Sequence, residues 1–239
     1  MKFLRFVRWI FFSLILFSSC KKNSDAGNLM PVSALTIINA VQGSDPFIAD
    51  PNGADSVSAY FATTSQIGFG AFQEYSLPSG NTPLIIFDIA DTMSPVFQGS
   101  ISLKNNAIYS LFLSGIYNVQ NKADTVLTID QIPYYGADSV SGVRFINLSS
   151  GSQPISVNIA GNPGTQTEFS NLGYKQISAF KSYSANSSVG GSYNFEIRDQ
   201  ASDSLLTTYS WNYTLQKNST IVISGLESSG LNIFQVNNF

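Results

Sequence analysis

The chain has 239 residues, of which 11% are charged, with 12 Lys and Arg against 15 Asp and Glu, one cysteine and no histidine. That balance excludes a nucleic-acid binder, which needs a basic face. Without histidine there is no Ser-His-Asp triad and no histidine-based metal site, and one cysteine excludes an intrachain disulfide.

The chain begins with the basic residues Lys2, Arg5 and Arg8, followed by an apolar run over residues 9–17. A basic stretch before a short apolar one is the composition of a secretory signal, and the run is about half of the ~20 residues a spanning helix needs. Ser18 and Ser19 then lead into Cys20, the lone cysteine. This arrangement resembles the lipobox of bacterial lipoproteins, in which a signal peptidase cleaves before an acylated cysteine. The resemblance implies a signal peptide at 1–19, a lipidated Cys20 and a partner in the membrane, reached through the lipid anchor. Two or more acyl chains hold a protein there stably. The implied address is the outer membrane of the cell envelope, at its periplasmic face or at the cell surface. Cleavage takes Lys2, Arg5 and Arg8 from the 12 basic residues, leaving 9 against 15 acidic ones, a net charge of −6. With its sulfur acylated, Cys20 also ceases to be a nucleophile.

Cys20 and a polar tether fill residues 20–32. Short β-branched and aromatic runs bounded by Gly, Pro, Asn and Asp follow, the signature of strands and turns. The runs predict strands over residues 35–40, 57–62, 67–72, 84–89, 97–103, 108–114 and 126–132. A second set is predicted over 143–148, 155–160, 167–169, 177–183, 193–197, 205–215, 220–224 and 231–236. Beyond the signal there is no helical periodicity.

The two sets repeat one another. Ile38-Asn39 and Gly43-Ser44-Asp45-Pro46 recur as Ile146-Asn147 and Gly151-Ser152-Gln153-Pro154, a shift of 108. The same shift carries Ala71-Phe72 with Tyr75-Ser76 onto Ala179-Phe180 with Tyr183-Ser184, and Phe87-Asp88-Ile89-Ala90-Asp91 onto Phe195-Glu196-Ile197-Arg198-Asp199. After a two-residue slip, Leu111-Phe112-Leu113-Ser114-Gly115 meets Ile221-Val222-Ile223-Ser224-Gly225. Such matches mean an internal duplication, with a period too long for a solenoid and suited to a sandwich of ~100 residues. The expected fold is all-β: two tandem immunoglobulin-like antiparallel β-sandwiches at 33–132 and 142–239, joined by a linker at 133–141, with limited proteolysis expected to release each as a separate fragment.

The turn after the opening strand, the segment Tyr75-Ser76-Leu77-Pro78-Ser79-Gly80 and the closing Tyr109-Ser110-Leu111-Phe112-Leu113-Ser114-Gly115 resemble the bacterial extracellular domain-of-unknown-function family numbered 4397, often found in tandem. The second copy departs from it at Ser182-Tyr183-Ser184-Ala185-Asn186. The resemblance implies a β-sandwich and an envelope setting in a Bacteroidota-type lipoprotein, and brings no catalytic residues.

Candidate sites are few. Asp88/Asp91 and Glu196/Asp199 are paired carboxylates that could serve acid–base chemistry, but a spacing of three points them to opposite strand faces, and solvated strand ends explain them as well. Asp50, Asn52 and Asp55 flank Gly53 and could offer oxygen ligands to calcium; they lack the spacing and terminal Glu of an EF-hand, and a Pro-Asn-Gly turn accounts for them without metal. Tyr209, Trp211 and Tyr213 share one strand face and could stack a sugar, although a slide of the first copy with Leu103 over Leu215 marks that face as core and sets Trp211 against Gly99. Tyr134 and Tyr135 fall between the copies, where grooves commonly bind ligands. No cofactor is implied. The expected role is a non-catalytic surface binding or adhesion module for a glycan or an envelope protein, or else a structural spacer or accessory subunit of an outer-membrane assembly.

One motif ignores the 108-residue shift: Gly53-Ala54-Asp55-Ser56-Val57-Ser58 recurs as Gly136-Ala137-Asp138-Ser139-Val140-Ser141, 83 residues on. Five Asp-Ser/Thr-aliphatic triplets, centred on Ser56, Thr92, Thr125, Ser139 and Ser204, resemble the O-glycosylation acceptor of exported Bacteroidota proteins. Turn capping by Asp and Ser accounts for each triplet singly.

Overall fold

The computed structural model describes residues 30–53, 66–117, 122–136, 139–162, 167–186 and 191–238. The first repeat supplies β1 (Val32–Asn39), β2 (Phe47–Asp50), β3 (Phe72–Pro78), β4 (Gly80–Asp88), β5 (Phe97–Leu103), β6 (Ile108–Ser114) and β7 (Asp124–Ile129). The second supplies β8 (Val140–Ser149), β9 (Ile155–Ile159), β10 (Thr167–Leu172), β11 (Lys181–Ser184), β12 (Ser192–Asp199), β13 (Leu205–Asn212), β14 (Asn218–Leu226) and β15 (Gly230–Asn238). They form four sheets, ordered β3-β1-β6-β7 and β2-β4-β5 in the first repeat, β11-β8-β14-β15 and β10-β9-β12-β13 in the second.

Three apolar clusters fix how the sheets stack. Leu35, Ile37, Leu111 and Leu113 meet Phe47, Leu84, Ile86 and Ile101 inside the first sandwich. Phe145, Ile221 and Ile223 meet Val157, Phe195, Ile197 and Trp211 inside the second. The third cluster joins the sandwiches: Ile38, Ala40 and Phe112 lie against Ile146, Leu148, Val222 and Val236. The layers therefore run β2-β4-β5, β3-β1-β6-β7, β11-β8-β14-β15, β10-β9-β12-β13, and Pro31–Phe239 is one compact unit. β6 and β14, central in the inner layers, are covered on both faces, so Leu111-Phe112-Leu113 and Ile221-Val222-Ile223 read as continuous apolar runs rather than alternating ones. Each such side chain contributes roughly 1.5–3 kcal/mol on burial.

The expected all-β sandwich is present, but its pairing is not purely antiparallel. β1 runs parallel to β6 with Ile37 opposite Leu111, and β8 runs parallel to β14 with Phe145 opposite Ile221. In each case the outer sheet intervenes in sequence, giving the long crossover that parallel neighbours require. Turn chemistry moves other bounds. The strand expected at 67–72 starts only at Phe72, because Ala71 N donates to Gly68 O in a turn through Gly70 (φ +76°). The strand expected at 177–183 is Lys181–Ser184, and that expected at 205–215 ends at Asn212, ahead of a turn through Gln216 (φ +62°). β2 lies unanticipated between Pro46 and Pro51, Val140 and Ser141 belong to β8 rather than to a linker, and the strand expected at 57–62 lies outside the described residues.

The repeated Ile-Asn and Gly-Ser words are architectural. Asn39 Nδ2 donates to Ser44 Oγ (3.2 Å) and Ile67 O (3.1 Å), and its Oδ1 accepts from Val41 N (3.0 Å). Asn147 does the same with Ser152 Oγ (3.0 Å), Leu172 O (2.9 Å) and Ser149 N (3.0 Å).

The outer sheets correspond by a different offset from the one the sequence suggests. Phe47 pairs with Asp88 and its counterpart Ile155 with Asp199; Ile89 N donates to Pro46 O as Gln200 N does to Pro154 O. Asp88 thus corresponds to Asp199 rather than Glu196. The cross-strand pairs Thr82–Ile101 and Tyr193–Trp211 then place Trp211 over Ile101 and Tyr209 over Gly99.

Candidate functional site

Most residues singled out in the sequence are placed in structural roles. Trp211 is fully buried, stacked 6.0 Å from Tyr193 and edge-on at 5.8 Å to Tyr213. Its neighbours spend their hydroxyls internally: Tyr193 donates to Ser184 O (2.8 Å), and Tyr213 donates to Asn186 O (3.0 Å) and accepts from Gly191 N (3.2 Å). The aromatic row is core, and Trp211 cannot stack on a ligand. Burial and the Glu168 carboxylate hold the nearby Tyr183 phenol well above its ordinary range.

The two seam tyrosines part company. Tyr134 is 94% exposed. Tyr135 is half-buried, and burial raises its phenol. Its hydroxyl sits beside Gly142, where an added Cβ would lie 2.4 Å from it and 2.0 Å from Asn218 Oδ1. Asn218 Nδ2 in turn donates to Pro133 O (2.9 Å), fastening the segment between the sandwiches to the second one.

Asp50 Oδ1 accepts from Asn52 N (2.8 Å), closing the turn at Gly53 (φ +62°); Asp55 lies outside the described residues. Among the described residues no three acidic or cysteine side chains are placed to hold a metal ion. The four carboxylates are divided among unrelated tasks. Asp88 is buried and accepts from Ala90 N (2.8 Å); burial first, then Asp45 and Asp91, raise its pKa. Asp91 accepts from Met93 N (3.1 Å). Glu196 accepts from Arg198 (2.9 Å), and Asp199 from Ser202 Oγ (2.6 Å). Of the triplet centres, Ser139 and Ser204 are exposed, Thr92 and Thr125 half-buried with Thr125 inside β7, and Ser56 lies outside the described residues. Cys20 does as well.

Two groups that the sequence reading missed sit where the sandwiches meet. Arg144 and Asp130 form a buried ion pair of 2.7 Å. Asp130 also accepts from Ser110 Oγ (2.6 Å), Arg144 Nε donates to Thr220 Oγ1 (2.8 Å), and the guanidinium lies 4.5 Å from the Phe180 ring centre. Burial lowers the arginine's pKa and Asp130 opposes that shift. The sequence signal was a lone arginine inside the apolar run Val143-Arg144-Phe145-Ile146, since a charge there must find a buried partner. Nearer solvent, Asp124 accepts from Lys175 Nζ (2.6 Å) and Tyr174 (2.8 Å), with Lys175 first among the causes that lower its pKa.

The surface best suited to engaging another molecule is the β7 edge. Asp124, Val126, Thr128 and Asp130 face the second sandwich, so Thr125, Leu127 and Ile129 face the other way. Leu127 and Ile129 are 41% and 43% exposed. Asp130 N donates to Ile108 O of the β6 side, so by alternation the main-chain groups of Thr125, Leu127 and Ile129 point outward. The strand has no Lys, no Pro and no register shift, three of the devices that normally guard an edge; the acids at its two ends, Asp124 and Asp130, are engaged by Lys175 and Arg144 of the second sandwich. Ala123 N donates to Val96 O (3.0 Å), which sets the start of β7 beside the start of β5, where the Phe97 ring covers Gly99 at the place that Tyr209 fills in the second sandwich. Shallow clefts of about 520 and 510 Å³ lie elsewhere, on the second sandwich, lined by Asn171, Gln176 and Ser178 and by Gly151, Gln153 and Glu227. Neither gathers charged groups around a common point.

No family model matches the chain, and no curated protein does. Among solved structures, the chain is similar to CBMbc, the family 26 carbohydrate-binding module of Eubacterium rectale Amy13K, in complex with maltoheptaose. The identity is 12% and the TM-score 0.25, over 85% of this chain and 97% of that one. At that distance the likeness carries no argument about function.

Proposed function

We propose that the chain is a non-catalytic binding module of the bacterial cell envelope, anchored by lipid at Cys20 and belonging with family 4397, that binds another envelope protein along β7. The observation behind this reading is a difference between sister edges. Leu111 pairs with Leu127 and its counterpart Ile221 with Gln235. Leu127 and Ile129 thus stand where β15 carries Gln235 and Asn237, so the fold itself does not require apolar side chains there. An extended segment of a partner added to β7 would satisfy the outward main chain and cover both side chains. Glycan stacking has less support, because the aromatic row around Trp211 is core and, among the described residues, Tyr134 is 94% exposed while the next aromatics, Phe69 and Phe72, are 40% and 36% exposed.

A photo-reactive residue at position 127 of the lipidated protein, in its native envelope, should cross-link to one defined protein, and one at position 235 should not. Equal labelling from both positions, or none from 127, would refute the reading. The spacer alternative draws on the third apolar cluster and the Asp130–Arg144 pair, which join the sandwiches in one compact unit. It predicts no specific adduct from either edge.

A further inference from the structure

The face that joins the sandwiches uses the same positions from both. Ile38 and its counterpart Ile146, Ala40 and its counterpart Leu148, and Phe112 and its counterpart Val222 all lie in one cluster, with Val126 and Phe234 packed at its margin. Using one patch twice is the mark of an isologous, two-fold contact. The polar groups obey the same correspondence: Ser110 Oγ donates to Asp130 Oδ2 (2.6 Å) where Thr220 Oγ1 donates to Asn238 Oδ1 (2.7 Å). Within this network the hydroxyl is kept as Ser110 or Thr220, and charge breaks the symmetry at two positions. Thr36 pairs with Ser110 where Arg144 pairs with Thr220, and Asp130 stands where the second sandwich has Asn238.

We infer that this face is a self-recognition surface, and that the Asp130–Arg144 pair is the element committing the first sandwich to the second rather than each to its own kind. Two first sandwiches placed face to face would bury two copies of Asp130 and no cation. Two second sandwiches would bury two copies of Arg144 and no anion. Only the mixed pairing supplies one charge of each sign at bonding distance, and removing either partner leaves the other buried and uncompensated. Building a penalty against the wrong partner in this way is how similar surfaces are kept apart. The same logic allows the face to close between two chains when their charges are complementary and the pairing within each chain is not.

The test uses chains beginning at Lys21, which retain the whole described unit. Asp130→Lys places two cations at the junction and Arg144→Glu places two anions, so each variant alone should melt about 10 °C below the parent. Unfolded together and refolded at equal concentration, the two should form a heterodimer with exchanged halves, seen as doubled mass in light scattering, with most of the lost melting temperature recovered. Two single variants that stay monomeric and melt like the parent would overturn the inference. So would a mixture that forms no heterodimer and melts no higher than its components.

Discussion

Asn39 and Asn147 carry out one task twice, each tying the end of an inner strand to the turn that follows and to a backbone carbonyl more than twenty residues on. Both amides are fully buried. Asn39→Ala should leave the buried Val41 amide without its acceptor, at about 1–3 kcal/mol, and take one of the two donors from the Ile67 carbonyl, which keeps Phe47 N (2.9 Å). Asn147→Ala should cost a similar amount. Asn39→Asp should fare no better than Ala, since an ionised carboxylate cannot donate to Ile67 O. Thermal unfolding of the three variants is the check, and a harmless Asn147→Ala would mean that the repeated word is not structural.

Asp88 gives a pH dependence of known sign. Burial raises its folded pKa above the ordinary 3.8, so the folded state holds this proton more tightly than the unfolded chain does. The stability it contributes is complete below about pH 4 and is lost as pH rises through the folded value. Asn cannot ionise and keeps an oxygen for Ala90 N. The melting temperature of Asp88→Asn minus that of the parent should therefore grow between pH 4 and pH 7; a constant difference would contradict a raised pKa.

Fold class and duplication were legible because strand runs and turn words are local. Stacking was not. Leu111-Phe112-Leu113 identifies a strand, but only its two-faced burial shows that a second sheet covers the face turned away from its own sandwich. Trp211, correctly marked as lying on the core face, was set against Gly99 rather than Ile101 for a related reason. The outer strands slipped by three residues relative to the matched letters, so Glu196 aligned with Asp88 by identity while Asp199 took its place in space. Sequence similarity followed side-chain type, whereas register follows turn length and the inward face. The β7 edge was invisible for another reason: Thr125-Val126-Leu127-Thr128-Ile129 reads as an ordinary half-buried strand until the sheet order shows that, among the described residues, no strand pairs with its outer side.

The modification sites separate by access. Ser139 and Ser204 are exposed in turns or at strand starts, while Thr125 is half-buried within the paired β7. If the triplets are glycan acceptors, intact-mass measurement of protein from its native host should show hexose-scale increments that fall on Ser139→Ala and Ser204→Ala. Thr125→Ala should leave the mass pattern otherwise unchanged. An unmodified native mass would leave turn capping by Asp199 and its neighbours as the whole account of the motif at Ser204.

The third cluster revises the expectation that the sandwiches separate on cleavage. Ile38 and Phe112 on one side and Ile146 and Val222 on the other are all fully buried, and exposing such a face would forfeit roughly 25 cal/mol per Å² of apolar surface as well as strand Asp130 and Arg144. A nick within residues 131–136 should thus yield two fragments that migrate together under native conditions and part only in denaturant. Phe112→Ala should cost about 3–5 kcal/mol, lowering the melting of both sandwiches as one transition. Probes that separate the halves are at hand, because the stacked aromatic row around Trp211 belongs to the second sandwich alone. If Phe112→Ala, a change in the first sandwich, left the near-ultraviolet melting of that aromatic row unmoved, the two halves would be folding independently despite their shared face.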